Sequence, residues 1–225
     1  MEDDYSAVLW DGMLRFGAYP NNERFMLLMK MGYHTFIDLT AEGECTNSVE
    51  SGVYPLLPCT FSYIHHPIND KRVPQWTESF HLLLRHVIIL RSCNEKVYVH
   101  CRGGHGRAAL FCACVMATDM NSALLMNDWV LDGNVMRSTI SKYYPTFSDV
   151  SGIANNTQNS IPRVLVPTKT IKSQDIANYV LKLVYEAHQQ RKTMDMKWRK
   201  MGAPQTRKQK EFVAIVAKKT GIWLE

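Results

Sequence analysis

The sequence predicts an α/β fold of three layers, with a central, mainly parallel sheet between helices. Short runs of β-branched and aromatic residues alternate along the chain with longer runs of helical periodicity. Such alternation is typical of parallel strands joined by crossover helices. With 225 residues, 46% of them hydrophobic, the chain is long enough for one packed core, so we predict a single domain over residues 1–225.

The predicted elements follow in order from this periodicity. Four short runs are predicted as strands: Leu14–Pro20, Tyr33–Leu39, Phe61–Ile68 and Lys96–His100. Five longer runs are predicted as helices: residues 22–31 before Gly32, residues 74–91 with Pro74 in the first turn, residues 108–120, a run with Ser173 as its N-cap, and a run with Thr206 as its N-cap. Ligands bind at the carboxyl ends of parallel strands, so the loop after the fourth strand is where chemistry is expected.

A segment of different composition separates the last two predicted helices from the preceding elements. Residues 121–172 include the polar, turn-rich stretch "SDVSGIANNTQNS" and have only short helical periodicity. We predict an insertion here, within the single domain.

The composition indicates in which cellular compartment the chain is expected. The first ten residues hold three acids and no positive n-region, and charge interrupts every apolar run short of a membrane-spanning length. We therefore expect a soluble chain without a membrane span, in the reducing cytoplasm or alternatively the nucleus, with six free cysteines and no metal site. Residues 1–160 hold 12 Lys and Arg against 16 Asp and Glu, and residues 161–225 hold 14 against 5. This basic C-terminal part favours an acidic partner only weakly, because such residues on amphipathic helices usually form a solvated face.

The stretch "YVHCRGGHGR", residues 98–107, has the composition of an anion-binding loop. A buried strand ends at a cysteine, three glycines follow, and a helix begins near the second arginine. The N–H groups of such a loop turn inward, and the helix N-terminus adds the positive end of its dipole. We expect Gly103, Gly104 and Gly106 to let the backbone cradle a tetrahedral oxyanion, with the guanidinium of Arg107 on two of its oxygens.

A cysteine at the mouth of this loop predicts covalent chemistry. The amide dipoles and the arginine stabilise a thiolate at Cys101, which makes it a nucleophile at neutral pH. Attack on a bound phosphate gives a cysteinyl-phosphate, and Arg107 stabilises the equatorial oxygens in the transition state.

The motif resembles the signature of the cysteine-dependent protein tyrosine phosphatases. It has Cys101, five further residues and then Arg107, with His100 before the cysteine. The glycine placement is similar to that of the dual-specificity branch, especially its kinase-associated-phosphatase-like members. The resemblance covers about residues 10–118 and 173–218, and it implies a protein tyrosine phosphatase-like fold and a phosphomonoester hydrolase that needs no metal or cofactor.

The resemblance also implies roles within the loop. The backbone from Arg102 to Arg107, with His105 in its middle, is expected to bind phosphate, and His100 is expected to orient the loop through hydrogen bonds. The side chain of His105 is expected either to bind substrate or to fill a tolerant, solvent-facing position.

The general acid implied by the resemblance is Asp70, in "HHPINDKRVP". Departure of the leaving group needs a proton donor on a loop. Asp70 lies 31 residues before Cys101, on the loop after a strand, in the family's "PI-x-D" form. Taken alone, an aspartate on such a loop is a turn or cap residue.

A late block, "GAPQTRKQKEFV", is similar to the segment at the start of the family's C-terminal helix. The resemblance implies that Gln209, with Gln205 as the alternative, orients the water that hydrolyses the cysteinyl-phosphate. The other interpretation is that both glutamines lie on a solvated helix face, four residues apart.

The chain departs from the family at Ala108. The family usually has Ser or Thr there, whose hydroxyl helps the cysteine to leave. We therefore expect a functional enzyme whose second chemical step is slow.

Proteins that carry phosphotyrosine, phosphoserine or phosphothreonine are the expected substrates and partners. Arg102 and His105 place basic groups beside the nucleophile, so phosphoinositides or RNA 5′-phosphates are the alternative substrates. A phosphate-binding pseudophosphatase is the non-enzymatic alternative. Its mark would be the loss of Cys101, Arg107 or Asp70, and all three are present.

Overall fold

The fold is built on one five-stranded sheet, seen in a computed structural model that describes residues 5–44, 61–129 and 172–219. The strand order is β1-β2-β5-β3-β4. The strands are β1 (Ser6–Leu9), β2 (Leu14–Ala18), β3 (Tyr33–Asp38), β4 (Ser62–His65) and β5 (Lys96–Cys101). Strand β1 is antiparallel to β2 and the other neighbours are parallel, which confirms the mainly parallel sheet.

Six α-helices accompany this sheet in the described part of the chain. They are α1 (Asn22–Lys30), α2 (Glu78–Ser92), α3 (Arg107–Trp129), α4 (Ser173–Gln189), α5 (Met196–Met201) and α6 (Arg207–Lys219). The edge strand β1 and the short helix α5 were not predicted, because neither is long enough to establish a hydrophobic period.

The helices lie on both faces of the sheet, which confirms the three layers. On one face, Phe25 and Leu28 of α1 pack against Tyr33, Phe36 and Tyr98. On the other face, the alternate residues of the strands pack against α2, α3, α4 and α6.

Strand β5 and helix α3 form the centre of the molecule. Strand β5 lies between β2 and β3, and residues 108–115 of α3 are fully buried. A helix that is apolar all round is stable only inside a core, which explains the run "AALFCACV". The loop between these two elements is therefore held between the most buried strand and the most buried helix.

The N-terminal ends of three helices can be compared with the predicted ones. Helix α2 begins at Glu78 rather than near Pro74, because the hydroxyl of Thr77 accepts a hydrogen bond from the N–H of Phe80 at 3.2 Å. Helix α4 has Lys172 at its N-cap, so the prediction of Ser173 as the cap was wrong by one residue. Thr206 caps α6 as predicted, and its Oγ1 accepts from the N–H of Gln209 at 3.2 Å.

The predicted insertion is only partly visible. Helix α3 continues to Trp129, past the expected change at residue 121, and residues 130–171 lie outside the described residues. The single domain with an insertion therefore stays a prediction. Cys93, Cys101, Cys112 and Cys114 are free thiols, and the other two cysteines also lie outside the described residues.

No helix in the described part of the chain combines the length and the apolar character needed to cross a bilayer.

Candidate active site

The candidate site is the loop between β5 and α3. Cys101 ends β5 and is 3% exposed, and Arg107 begins α3 and is 2% exposed. The backbone N–H of Gly104 donates to the sulfur of Cys101 at 3.3 Å. This contact places a backbone donor of the loop against the sulfur.

Two glycines of the loop make close contacts, and at Gly104 the contact requires glycine. Gly104 has φ of +70°, and a side chain there would overlap the backbone of Gly17 and Ala18 on β2. A Cβ at Gly106 would lie 2.7 Å from Oε1 of Gln205. The loop is therefore pressed against β2 on one side and against the segment before α6 on the other.

The guanidinium of Arg107 is held by Glu44, on the loop after β3. Nη1 and Nη2 donate to the two carboxylate oxygens of Glu44 at 2.5 and 2.6 Å. Nη1 also donates to the carbonyl oxygen of Ile68 at 2.8 Å. The hydrogen bond to Arg107 lowers the pKa of Glu44, which keeps Glu44 ionised. Burial opposes the charge of Arg107, but Glu44 and the neighbouring charges raise the pKa of the guanidinium above its ordinary value.

One edge of this guanidinium is left for a ligand. Among the described residues, Nε of Arg107 has no hydrogen-bond partner although it is buried. Nε and the outer N–H of Nη2 form a planar pair of donors that matches two oxygens of a phosphate. A buried donor without a partner is costly in a folded protein, so its presence here points to an anionic ligand.

Asp70 lies beside the same guanidinium. Its Oδ1 is 3.4 Å from Nη2 of Arg107, and its side chain is 61% exposed. The loop is anchored on both sides of Asp70, because Arg107 binds the carbonyl of Ile68 and Nε2 of Gln209 donates to the carbonyl of Arg72 at 3.2 Å. The structure thus brings Asp70, Arg107 and Cys101 together, as the sequence predicted.

The two glutamines take different positions. Gln209 is fully buried, so the solvated helix face is wrong for this residue. Its Oε1 accepts from the N–H of Thr206 at 3.1 Å, and its Nε2 binds the loop of Asp70. Gln205 precedes the helix and places its amide oxygen beside Gly106. Gln209 therefore holds the loop of Asp70, and the side-chain amides of both glutamines lie beside Gly106 of the phosphate loop.

His100 lies beneath the loop. Its Nδ1 is 3.6 Å from Oδ1 of Asp38, and its ring packs edge-on against Tyr19. Burial lowers the pKa of His100 to about 4, although Asp38 opposes the shift, so the ring is neutral at pH 7. The orienting role of His100 through hydrogen bonds to the loop stays a prediction.

His105 is not at a solvent-facing position. It is 8% exposed, and its ring stacks on Trp198 with 4.6 Å between centroids. Its Nδ1 is 2.9 Å from Nε2 of His188, and the guanidinium of Arg191 is hydrogen-bonded to the carbonyl of Gly104 at 3.2 Å. The imidazole therefore forms part of the outer wall of the loop.

A pocket of about 540 Å³ opens next to this wall. It is lined by loop residues, by Ala18 and by residues 191–198 around α5. The volume lies in the range of small-molecule sites. A substrate whose phosphate occupies the loop would have space there for its flanking groups.

The chain is similar to a known family over more than half of its length. The family model described as "PTP-SAK: Swiss Army Knife protein, DSP-PTPase phosphatase domain" matches residues 5–137, which include Cys101, Arg107 and Asp70. The chain belongs to this family. The matched segment of the DSP-PTPase domain ends before Gln205 and Gln209, so the roles of these glutamines rest on the contacts described above.

Curated relatives of the domain are viral. "Putative tyrosine phosphatase 067L" of Invertebrate iridescent virus 3 is 40% identical over 109 residues, which are 47% of this chain and 43% of that protein. "Putative tyrosine phosphatase 197R" of Invertebrate iridescent virus 6 is 36% identical over 115 residues, 48% of this chain and 41% of that protein. The chain thus spans about two fifths of the length of these relatives.

A crystal structure of kinase associated phosphatase, with its catalytic-site cysteine replaced by serine, is among the structures similar to the DSP-PTPase domain. The similarity has a TM-score of 0.43 with 17% sequence identity, and it covers 63% of this chain and 84% of that chain.

Sequence reasoning missed Glu44 and the residues behind His105. The stretch "TAEGE" offers two glutamates after β3, and periodicity does not decide which one turns inward. A search for the carboxylate that a buried arginine requires would have pointed to this stretch. His188 and Arg191 are 83 and 86 residues from His105, and their sequence neighbourhood has no signal for this contact.

Proposed function

We propose that this DSP-PTPase domain hydrolyses phosphomonoesters in proteins, with phosphotyrosine, phosphoserine and phosphothreonine as its substrates. The observation that carries the proposal is the buried Nε of Arg107, which has no partner within residues 5–44, 61–129 and 172–219, next to a sulfur that accepts a hydrogen bond from the amide of Gly104. Such an arrangement holds a dianionic phosphate against a nucleophile. A free thiol as nucleophile also supports a reducing compartment such as the cytoplasm.

The first step transfers the phosphoryl group to the enzyme. The thiolate of Cys101 attacks phosphorus, an S–P bond forms, and the bond from phosphorus to the ester oxygen breaks. Asp70, on its exposed loop, gives its proton to the departing oxygen, which leaves as an alcohol or phenol. The open edge of Arg107 and the loop amides stabilise the equatorial oxygens.

The second step returns the enzyme to its starting form. The carboxylate of Asp70 takes a proton from water, the water oxygen attacks phosphorus, and the S–P bond breaks to release phosphate and the Cys101 thiolate. The amide oxygen of Gln205 beside Gly106 supports a role in orienting this water. Ala108 provides no hydroxyl for the departing sulfur.

Phosphorylated proteins are favoured as substrates over phosphoinositides and RNA 5′-phosphates. Phosphoinositides or RNA 5′-phosphates were supported by two basic side chains at the loop, Arg102 and His105, and by the basic C-terminal part of the chain. The ring of His105 is buried, and burial followed by the charge of Arg191 lowers its pKa to about 4, so it adds no positive charge at pH 7. Arg102 alone remains exposed at the loop.

A substrate panel tests the proposed function. Phosphotyrosine, phosphoserine and phosphothreonine peptides, phosphoinositide vesicles and 5′-triphosphorylated RNA are incubated with the wild type and with Cys101→Ser, and released phosphate is measured. Hydrolysis of the peptides by the wild type alone is expected. A preference for lipid or RNA would overturn the substrate class, equal rates for Cys101→Ser would overturn the mechanism, and vanadate binding without any hydrolysis would indicate a pseudophosphatase.

A further inference from the structure

The connection between α4 and α5 packs against the outer side of the phosphate loop. Nη1 of Arg191 donates to the carbonyl oxygen of Gly104 at 3.2 Å and lies 3.4 Å from Nδ1 of His105. His188 contacts the same Nδ1 at 2.9 Å, and Trp198 stacks on the ring. We call these four residues, His105, His188, Arg191 and Trp198, the loop brace.

The two imidazoles of the brace share one hydrogen bond. Nδ1 of His105 and Nε2 of His188 lie 2.9 Å apart, and the tautomers decide which of them donates. The guanidinium of Arg191 lies 3.4 Å from the same Nδ1 and donates to the carbonyl of Gly104. Burial and then Arg191 lower the pKa of His105 to about 4 and that of His188 to about 3, so both rings are neutral.

The brace has a fixed base. Arg199 donates to the carbonyl oxygens of Gln189 and Arg191 at 2.6 Å each, and Gln189 donates back to the carbonyl of Arg199 at 3.1 Å. The backbone of Arg191 is thus held without help from the loop. The side chain of Arg191, which is 4% exposed, reaches the loop from this base.

The hydrogen bond from Arg191 to the carbonyl of Gly104 sets the direction of the next backbone N–H, that of His105. In a trans peptide the C=O and the N–H point in opposite directions. The bond between Gly104 and His105 is trans, and its carbonyl points outward to Arg191. The N–H of His105 therefore points inward, to the concave side of the loop. The carbonyl of Arg102 is held outward in the same way by the N–H of Tyr19 at 3.3 Å, which turns the N–H of Gly103 inward.

We propose that Arg191 is a positioning residue, which keeps the carbonyl of Gly104 outward and thereby the N–H of His105 directed at the phosphate of the substrate. The proposal rests on the proposed function. Arg191 lies on the far side of the loop backbone from the phosphate, so it acts through the peptide group and touches no reacting atom. The adjoining pocket shares Arg191, His105 and Trp198 with the brace, so flanking groups of a substrate would contact the residues that hold the loop.

The test compares Arg191→Met, which keeps an unbranched side chain and removes the donors, with Lys200→Met as the control. Lys200 is exposed on α5, so the control removes one positive charge from the same segment without touching the loop. Vanadate affinity is measured by calorimetry. The amide shifts of Gly103 and His105 are followed by nuclear magnetic resonance with and without vanadate. Arg191→Met should raise the vanadate Kd about tenfold, the factor for one hydrogen bond to a charged group.

The amide shifts separate positioning from a general loss of structure. In Arg191→Met, the response of the His105 amide to vanadate should be lost while that of the Gly103 amide is retained. A folded Arg191→Met with the wild-type Kd and the wild-type His105 response would overturn the proposal, and so would an equal loss at both amides. A wild type that binds no vanadate would contradict the proposed function itself.

A second variant covers the case in which Arg191→Met does not fold. In Arg191→Lys a single ammonium replaces the planar fork and cannot hold both Gly104 and the ring of His105 in the same geometry. The vanadate Kd is then expected to rise severalfold, with a weakened response of the His105 amide. Wild-type values for both in Arg191→Lys would contradict the role of Arg191.

Discussion

The carboxylate of Glu44 meets the guanidinium of Arg107 edge to edge, with Oε2 2.5 Å from Nη1 and Oε1 2.6 Å from Nη2. This pairing occupies the terminal edge of the guanidinium and leaves Nε and one N–H of Nη2 for a phosphate. Glu44 therefore fixes the plane of the arginine before any substrate binds, which reduces the reorganisation needed in the reaction.

Replacing Glu44 with Gln should impair phosphate binding and turnover together. A neutral amide cannot accept two hydrogen bonds from Arg107 as the carboxylate does, so the guanidinium loses its fixed plane. We expect kcat/KM for a phosphotyrosine peptide to fall about 10- to 100-fold. Glu42→Gln removes the same charge two residues away, at an exposed side chain, and should behave as the wild type. Equal losses in the two variants would show that charge alone matters.

Replacing Gln209 with Leu should weaken general acid catalysis. The variant loses the hydrogen bond to the carbonyl of Arg72, which anchors the loop of Asp70. Substrates with poor leaving groups depend most on the acid. The rate for a phosphoserine peptide should therefore fall about tenfold more than the rate for p-nitrophenyl phosphate.

Thr206→Ala is the matched control for Gln209→Leu. It removes the N-cap of α6, which costs about 1 kcal/mol of stability, but it leaves the bond to Arg72 in place. Its ratio of rates for the two substrates should equal that of the wild type. A changed ratio in Thr206→Ala would assign the effect to the helix start and not to Gln209.

Replacing Ala108 with Ser should speed the second chemical step. The added hydroxyl can donate to the sulfur as the S–P bond breaks, which is the help that the wild type lacks. In stopped-flow traces with p-nitrophenyl phosphate, the initial burst of the wild type should shrink and the steady rate should rise about tenfold. Ala109→Ser adds the same group at the next buried position and should leave both phases unchanged. Equal steady rates for wild type and Ala108→Ser would argue against a slow second step.

The buried histidines predict a loss of stability in mild acid. His100, His105 and His188 have pKa values of about 4, 4 and 3 in the folded protein, below the ordinary value of 6.5. Between pH 6.5 and about 4 the unfolded chain binds more protons than the folded chain, so the free energy of unfolding falls as the pH falls. One such histidine contributes about 2 kcal/mol between pH 7 and pH 5.

Urea unfolding at the two pH values measures this loss. In His188→Gln the difference between pH 7 and pH 5 should be smaller than in the wild type. His34→Gln, at an exposed side chain, should retain the full difference. An equal difference in wild type and His188→Gln would show that His188 is not a source of the pH dependence.

Filling the pocket beside the loop should discriminate between large and small substrates. Met194, two residues before α5, lines the pocket, and Met196, the first residue of α5, does not. Met194→Trp should raise KM for a phosphotyrosine peptide about tenfold and leave KM for p-nitrophenyl phosphate unchanged. Met196→Trp should change neither value. Unchanged peptide kinetics in Met194→Trp would place the peptide elsewhere.

The four parallel strands, the loop and the three main reactive residues could be predicted because each has a local signal. β5 is a short β-branched run, the glycines mark the loop, and Cys101 and Asp70 follow strands whose carboxyl ends meet at one edge of the sheet. The contacts of Glu44 and Arg191 could not be predicted in this way. Both depend on the direction in which a side chain leaves an irregular segment, and that direction is fixed by tertiary packing.

The burial of the His105 side chain could not be predicted from the sequence either. From the sequence its side chain was expected either to bind substrate or to face solvent, but helices α4 and α5 cover it with His188 and Trp198. Sequence reasoning placed its backbone in the loop and had no means to place its ring.

The backbone contact between Gly104 and Gly17 has a consequence for engineering. Because no side chain fits at Gly104, the height of the loop above the sheet is determined by β2 and not by the loop residues themselves. A loop transplanted from another phosphatase, or a library randomised over residues 102–106, will yield active clones only if glycine is kept at position 104. The register of β2 against β5, which pairs Gly17 with His100 and Ala18 with Cys101, is in this sense part of the site.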